Sequence, residues 1–144
     1  MTETMTETEA RVREIVQSGG IEVVVFWAQW CENSLSQLER GLAEVIRVND
    51  DVEFTFVSLW DEGCDGAEAL REHGIPERAR ILAQPGVGED DPKEMRCKDF
   101  LGLPVTWIPT TWVFREGTLA YAFNYGEVTR EQFDAALAGA RSDW

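Results

Sequence analysis

The residues of this chain with chemistry to offer are few: cysteines at 31, 64 and 97 and a single histidine at 73. A thiol becomes a nucleophile as thiolate, a form favoured where free backbone N–H groups and the positive end of a helix dipole face it. Cys31 has the sequence context for this. It follows an apolar run over 21–28, and a helical pattern opens at Glu32, so it stands where a strand stops and a helix starts. Ser34, one helical turn further on, has a hydroxyl able to donate a hydrogen bond to a Cys31 thiolate, but it cannot displace a sulfur. The negative charge of Glu32 works against that thiolate. An ordinary core cysteine is the alternative, and it would need neither the strand–helix junction nor the flanking Trp27 and Trp30.

The other two thiols have weaker contexts. Cys64 follows the second strand by a few residues, which puts it on the same sheet edge as Cys31; substitute resolving thiol and free loop cysteine both stay open. Cys97 is expected to face the core from a helix. Three widely spaced cysteines and one histidine lack zinc-ligand spacing, so no metal is expected. His73, followed by Gly74, reads as a solvated residue at a helix C-terminus, and Gly88-Glu89-Asp90-Asp91 as a solvated loop in preference to a cation site. Trp30, Trp60 and Trp107 fall near segment ends and could form an apolar platform for a peptide, with core packing an equal explanation for Trp60.

The elements that would hold these residues can be read along the chain. Residues 1–9 are acidic and polar and are expected to be disordered. Residues 10–18 read as a short helix ended by Gly19-Gly20, and 21–28 as a central strand covered on both faces. Leu35, Leu38, Leu42, Val45 and Ile46 recur at helical spacing and predict one helix over 32–48. A second strand is expected over 52–60, giving a right-handed parallel βαβ unit. The segment 61–105 reads as an insertion with helices over 67–73 and 92–100 and a loop over 84–91. Then come a strand over 110–114, a tight turn, a returning strand over 119–125, and a last helix announced by the capping-box spacing of Thr129 and Gln132. The residues 10–144 make one α/β domain with a mixed sheet of about four strands flanked by helices.

Phe26-Trp27-Ala28-Gln29-Trp30-Cys31, together with Ile108-Pro109-Thr110-Thr111 ahead of a strand, turn and strand, resembles the thioredoxin-like superfamily. The resemblance covers about 21–140, and the long insertion is similar to that of the TlpA/ResA-like branch. It implies a thioredoxin fold, a cis-proline at Pro109 beside the active-site cysteine, and substrate contact through Trp30, Ile108 and Pro109. The family's usual motif is Cys-x-x-Cys; here Cys31-Glu32-Asn33-Ser34 leaves out the resolving thiol. The buried aspartate that the family carries two residues before the tryptophan is Val25 here, and its lysine partner on the neighbouring strand would fall at Val57. Loss of the second thiol together with its proton-transfer pair suits a one-cysteine site.

The 144 residues carry 27 Asp and Glu against 13 Lys and Arg, a formal charge of −14, which disfavours nucleic acid and anionic membrane as partners. The cations read as scattered along the chain. An odd number of widely spaced cysteines fits a reducing compartment, and the start of the chain has no basic-then-apolar leader, so a cytoplasmic location is expected, or a periplasmic one if a leader was trimmed. The expected function is monothiol thiol-disulfide exchange, of disulfide isomerase, reductase or deglutathionylation type, with Cys31 and Ser34 as catalytic residues. Protein disulfides or thiols are the expected partners of a monomer, and no cofactor is needed beyond glutathione or another low-molecular-weight thiol as co-substrate. The alternative is a non-catalytic thioredoxin-like module that binds a protein or peptide.

Overall fold

The computed structural model of the chain describes residues 5–124 and 126–142. The apolar run at the centre of the sequence becomes β1 (Ile21–Trp27), buried along almost its whole length. Parallel to it lies β2 (Val52–Ser58), and antiparallel on its other side β6 (Thr110–Arg115). The sheet has five strands, in the order β3 (Arg80–Ala83), β2, β1, β6, β7 (Thr118–Phe123), where about four were expected. The added strand is β3 (Arg80–Ala83), a four-residue edge strand inside the insertion, too short and too half-buried to leave a period-2 signature. On the opposite edge β7 (Thr118–Phe123) returns from β6; of the strand expected over 119–125, Tyr125 lies outside the described residues.

Alternate residues of β1 feed two separate cores. Val23, Val25 and Trp27 face a cluster built with Phe54, Phe56, Leu42, Ile46, Leu70, Phe133 and Leu137. Val24 and Phe26 face the other layer, with Val12, Val16, Val57, Phe100, Ile108 and Trp112. This arrangement is why the strand shows no alternation: a central strand with helices or loops on both faces must be apolar on both. The register also moves one expected pair. Val25 lies opposite Phe56, while Val57 is opposite Phe26 and belongs to the other face, so the neighbour of Val25 is a phenylalanine and the apolar character of that spot is unchanged.

The helix expected over 32–48 is broken. It runs as α2 (Glu32–Gln37), a wider π-type turn (Leu38–Leu42) and α3 (Ala43–Val48), with Arg40 and Gly41 outside helical geometry. Gly41 sits at φ +91°, a conformation that costs glycine little and other residues more. The apolar spacing continues across the break, which hid it.

At the N-terminus the helix α1 (Glu7–Gln17) begins three residues before Ala10, because Thr6 and Glu9 form a capping box. Residues 1–4 lie outside the described residues, but 7–9 are helical where disorder was expected. Tertiary hydrogen bonds fix them. Glu9 accepts the Leu101 N–H at 2.7 Å, Thr6 Oγ1 bonds Gln84 Oε1 at 2.8 Å, and Thr8 donates to the Ala83 carbonyl at 2.6 Å.

Within the insertion, α4 (Ala67–Glu72) is found as expected. The helix expected over 92–100 is not: that stretch holds only a 3₁₀ turn (Lys93–Met95) and β4 (Asp99–Phe100), paired with β5 (Leu103–Pro104). Its one deep anchor is Phe100, fully buried edge-on against Phe26 and Trp112 at 4.9 and 6.4 Å between ring centroids. The last helix, α5 (Arg130–Arg141), has the capping box of Thr129 and Gln132 and buries Phe133, Ala136, Leu137 and Ala140.

Candidate functional site

β1 ends at Trp27, and the chain turns through Ala28-Gln29-Trp30 into α2, with Cys31 as its N-cap residue in extended backbone geometry. The Cys31 carbonyl accepts the first helical bond, from Leu35 N–H at 3.0 Å. Its side chain is half-buried at the margin of the second core. The peptide between Ile108 and Pro109 is cis, and the Ile108 carbonyl lies 3.9 Å from Cys31 Sγ. Two segments 77 residues apart are thus brought together at one sulfur. The Ile108 side chain is buried, 5 % exposed, so what this residue presents to the groove is backbone. Thr110 fixes the loop by donating to the Trp107 carbonyl at 2.6 Å.

Ser34 is brought to the same junction, but with a different partner from the one expected. It is buried, and its Oγ accepts the Ala28 N–H at 3.3 Å. It braces the turn that carries Cys31, and that bond leaves its own hydroxyl proton free. Beneath the site Val25 is 1 % exposed and packs in the apolar cluster with Phe56.

The tryptophans form part of the wall, though not an open platform. Trp30 donates its indole N–H to the Trp60 carbonyl, and Trp60 donates to the Cys97 carbonyl, both at 2.9 Å. The Arg96 guanidinium lies 5.1 Å from the centroid of each of these two rings, within cation–π range of both. Trp60 is buried whereas Trp107 is 47 % exposed, so of the three only Trp107 offers a free aromatic face. Around Cys31 these groups enclose a groove of about 330 Å³, lined also by Lys93 and Lys98. Three of the cations that read as scattered in the sequence, Lys93, Arg96 and Lys98, come together here, on a stretch tied to the end of β2 by the bond from Trp60 to the Cys97 carbonyl.

The remaining thiols stand apart. Cys64 is exposed and lines a separate depression with Gln29 and Asp65; Gln29 Nε2 donates to Asp61 Oδ2 at 2.9 Å. Cys97, expected to face the core from a helix, is exposed on a loop, since no helix forms there to turn it inward. Its thiol hydrogen-bonds to Asp99 Oδ1 at 3.0 Å, and that acceptor pushes the thiol up from its ordinary value. His73 caps α4, with its Nδ1 2.8 Å from the Ala69 carbonyl and Nε2 3.7 Å from Glu39, far in sequence and role from the groove. Among the described residues no group of three His, Cys, Asp or Glu is arranged to hold a metal ion, and no helix is long and apolar enough to cross a membrane.

The residue that sequence reasoning missed is Arg96. Nothing in its local pattern marks it, since the two rings it lies against, Trp30 and Trp60, come from segments far earlier in the chain.

No protein-family model and no curated protein sequence matches the chain. Solved structures do. A thiol:disulfide interchange protein of the thioredoxin family from Chlorobium tepidum superposes with a TM-score of 0.62 at 16 % identity, over 88 % of this chain and 83 % of that one. A thiol-disulfide isomerase from Corynebacterium glutamicum gives 0.61 at 15 % identity, over 99 % and 90 %. A DsbF homologue from Corynebacterium diphtheriae gives 0.59 at 21 % identity, over 83 % and 71 %. The chain has the thioredoxin-like fold.

Proposed function

We propose that this chain carries out thiol-disulfide exchange through a single thiol, Cys31, on a protein or low-molecular-weight disulfide. The observation that carries the proposal is the meeting of a half-exposed Cys31 sulfur at the mouth of α2 with the Ile108 carbonyl 3.9 Å away. The thiolate attacks one sulfur of a disulfide, the old S–S bond breaks as the new one forms, and the other sulfur leaves as thiolate. The Ile108 N–H, which makes no hydrogen bond among the described residues, and its carbonyl are the backbone groups a bound segment would pair with. Ser34 holds the turn and offers its proton to the sulfur. With no second thiol at 34, release waits for an external thiol, which favours isomerase or deglutathionylation chemistry over net reduction. The odd number of widely spaced cysteines supports a reducing, cytoplasmic setting.

Because Cys64 and Cys97 are exposed, the test uses the Cys64→Ser/Cys97→Ser protein, mixed with oxidised glutathione and weighed intact. One adduct, mapped to Cys31, released by added thiol and absent after Cys31→Ser, is the expected result; a Cys31 that stays unmodified while a free thiol control reacts would sink the proposal.

The apolar packing of Val25 against Phe56 beneath the site favours one second reading, a binding module that keeps the groove without the chemistry. Partner binding unchanged by Cys31→Ser would support it.

A further inference from the structure

We infer that the groove beside Cys31 is a binding site for a small thiol or disulfide that carries carboxylates, selected by Lys93, Arg96 and Lys98. This names the substrate class of the proposed exchange reaction and rests on that reading for its chemistry, but not for its binding.

The groove lining holds three cations and no Asp or Glu, in a chain where acidic residues outnumber basic ones 27 to 13. Elsewhere several cations find carboxylates, among them Arg40 with Glu127 at 2.9 Å, Arg80 with Glu22 at 3.4 Å and Arg141 with Asp51 at 2.7 Å, while Arg78 donates to backbone carbonyls. Among the described residues, Lys93, Arg96 and Lys98 form no ion pair. Arg96 is also held in place. Its side chain lies between Trp30 and Trp60, and its Nε is buried with no hydrogen-bond partner, a cost ordinarily avoided by pairing the guanidinium. A carboxylate entering the groove would meet a planar, pre-oriented donor with two ammonium groups beside it.

Long-range electrostatics sharpen the point. A chain of charge −14 repels anions at a distance, so an anionic ligand needs a local field of the other sign, and these residues supply it next to the sulfur. The volume, about 330 Å³, lies at the small-molecule end of ligand sites, which argues for a compact ligand over an acidic protein segment. In the reaction Cys31 thiolate attacks the nearer sulfur of RS–SR; Cys31–S–SR forms, RS⁻ departs, and one disulfide replaces another with no net electron transfer.

The binding test needs no reaction. Cys31→Ser protein is titrated with S-methylglutathione, followed by tryptophan fluorescence. Saturable binding is expected, weakened about tenfold by Arg96→Gln, which a loss of about 1.4 kcal/mol would give. Lys93→Gln/Lys98→Gln, which alters exposed side chains and leaves the fold intact, should weaken it about fivefold. No saturation, affinities indifferent to these charges, or preferential binding of an acidic peptide without a thiol would overturn the inference. In the Cys64→Ser/Cys97→Ser background, Cys31 should react faster with oxidised glutathione than with the cationic disulfide cystamine, and the lysine and arginine variants should level the two rates. Binding of S-methylglutathione with no reaction of Cys31 toward either disulfide would remove the exchange reading and leave the groove assignment standing. Equal reaction with both, without binding, would do the reverse.

Discussion

The groove has two walls, and they are made differently. One is the β1–α2 junction with the loop before β6: Trp27, Ala28, Ser34 and Ile108 are each at most 5 % exposed, and the sulfur is placed by backbone that is fixed by the sheet. The other wall is the stretch 93–100 of the insertion, with one deep anchor, Phe100, indole-to-carbonyl bonds that tie Trp30 to Trp60 and Trp60 to Cys97, and charged side chains on its surface. The first wall supplies the reacting atom and tolerates little change. The second supplies charge and selectivity, and a segment held at few points can change its surface residues without disturbing the core.

That contrast can be broken at its anchor. Phe100→Ala removes a fully buried ring packed against Phe26 and Trp112 and should cost about 3–5 kcal/mol in a denaturant titration. Amide exchange should rise first over 93–105, with β1 still protected; equal loss of protection across both walls would mean that they form one cooperative unit. A smaller effect is expected at the joint between the walls. Gly66 has φ +67°, and a Cβ there would lie 2.5 Å from the ring of Trp27, so Gly66→Ala should destabilise by about 2 kcal/mol through backbone conformation and overlap with a ring that cannot yield.

The mildest test lies well away from the groove in sequence, near the start of β1. Glu22 is buried, and burial pushes its carboxyl up to about 7, against the opposing pull of Arg80 and with Glu53 adding to the rise. Between pH 4.5 and about 7 the native chain keeps a proton that the unfolded chain has released, so stability falls as the pH rises through that window. Glu22→Gln should abolish this slope and leave the protein more stable at pH 8, with the difference shrinking toward pH 5 in melts across pH. Reactivity of Cys31 should not change, since the substitution touches neither wall.

How far the sequence could be read follows the same division. β1, the strand–helix junction at Cys31, the β6–β7 hairpin and the capping box of α5 all rest on contacts close along the chain or on patterns that burial imposes directly, and each is found where expected. The break at Gly41 was concealed because apolar spacing survives it, and the helix start at Thr6 was concealed by a polar composition that resembles disorder. The stretch 92–100 carries charged residues at near-helical intervals, yet Pro92, the burial of Phe100 and the pairing of β4 with β5 decide its form.

The sequence by itself determined that a sulfur would sit at the end of a buried parallel strand with a serine one turn away, because apolar periodicity and chain order leave few other arrangements. Only the tertiary structure decided what surrounds that sulfur: the Ser34 bond to Ala28, Phe56 and not Val57 beside Val25, and Arg96 between two tryptophans. Those outcomes depend on strand register and on long-range packing of a segment with weak local preferences, and neither is encoded in the spacing of neighbouring residues.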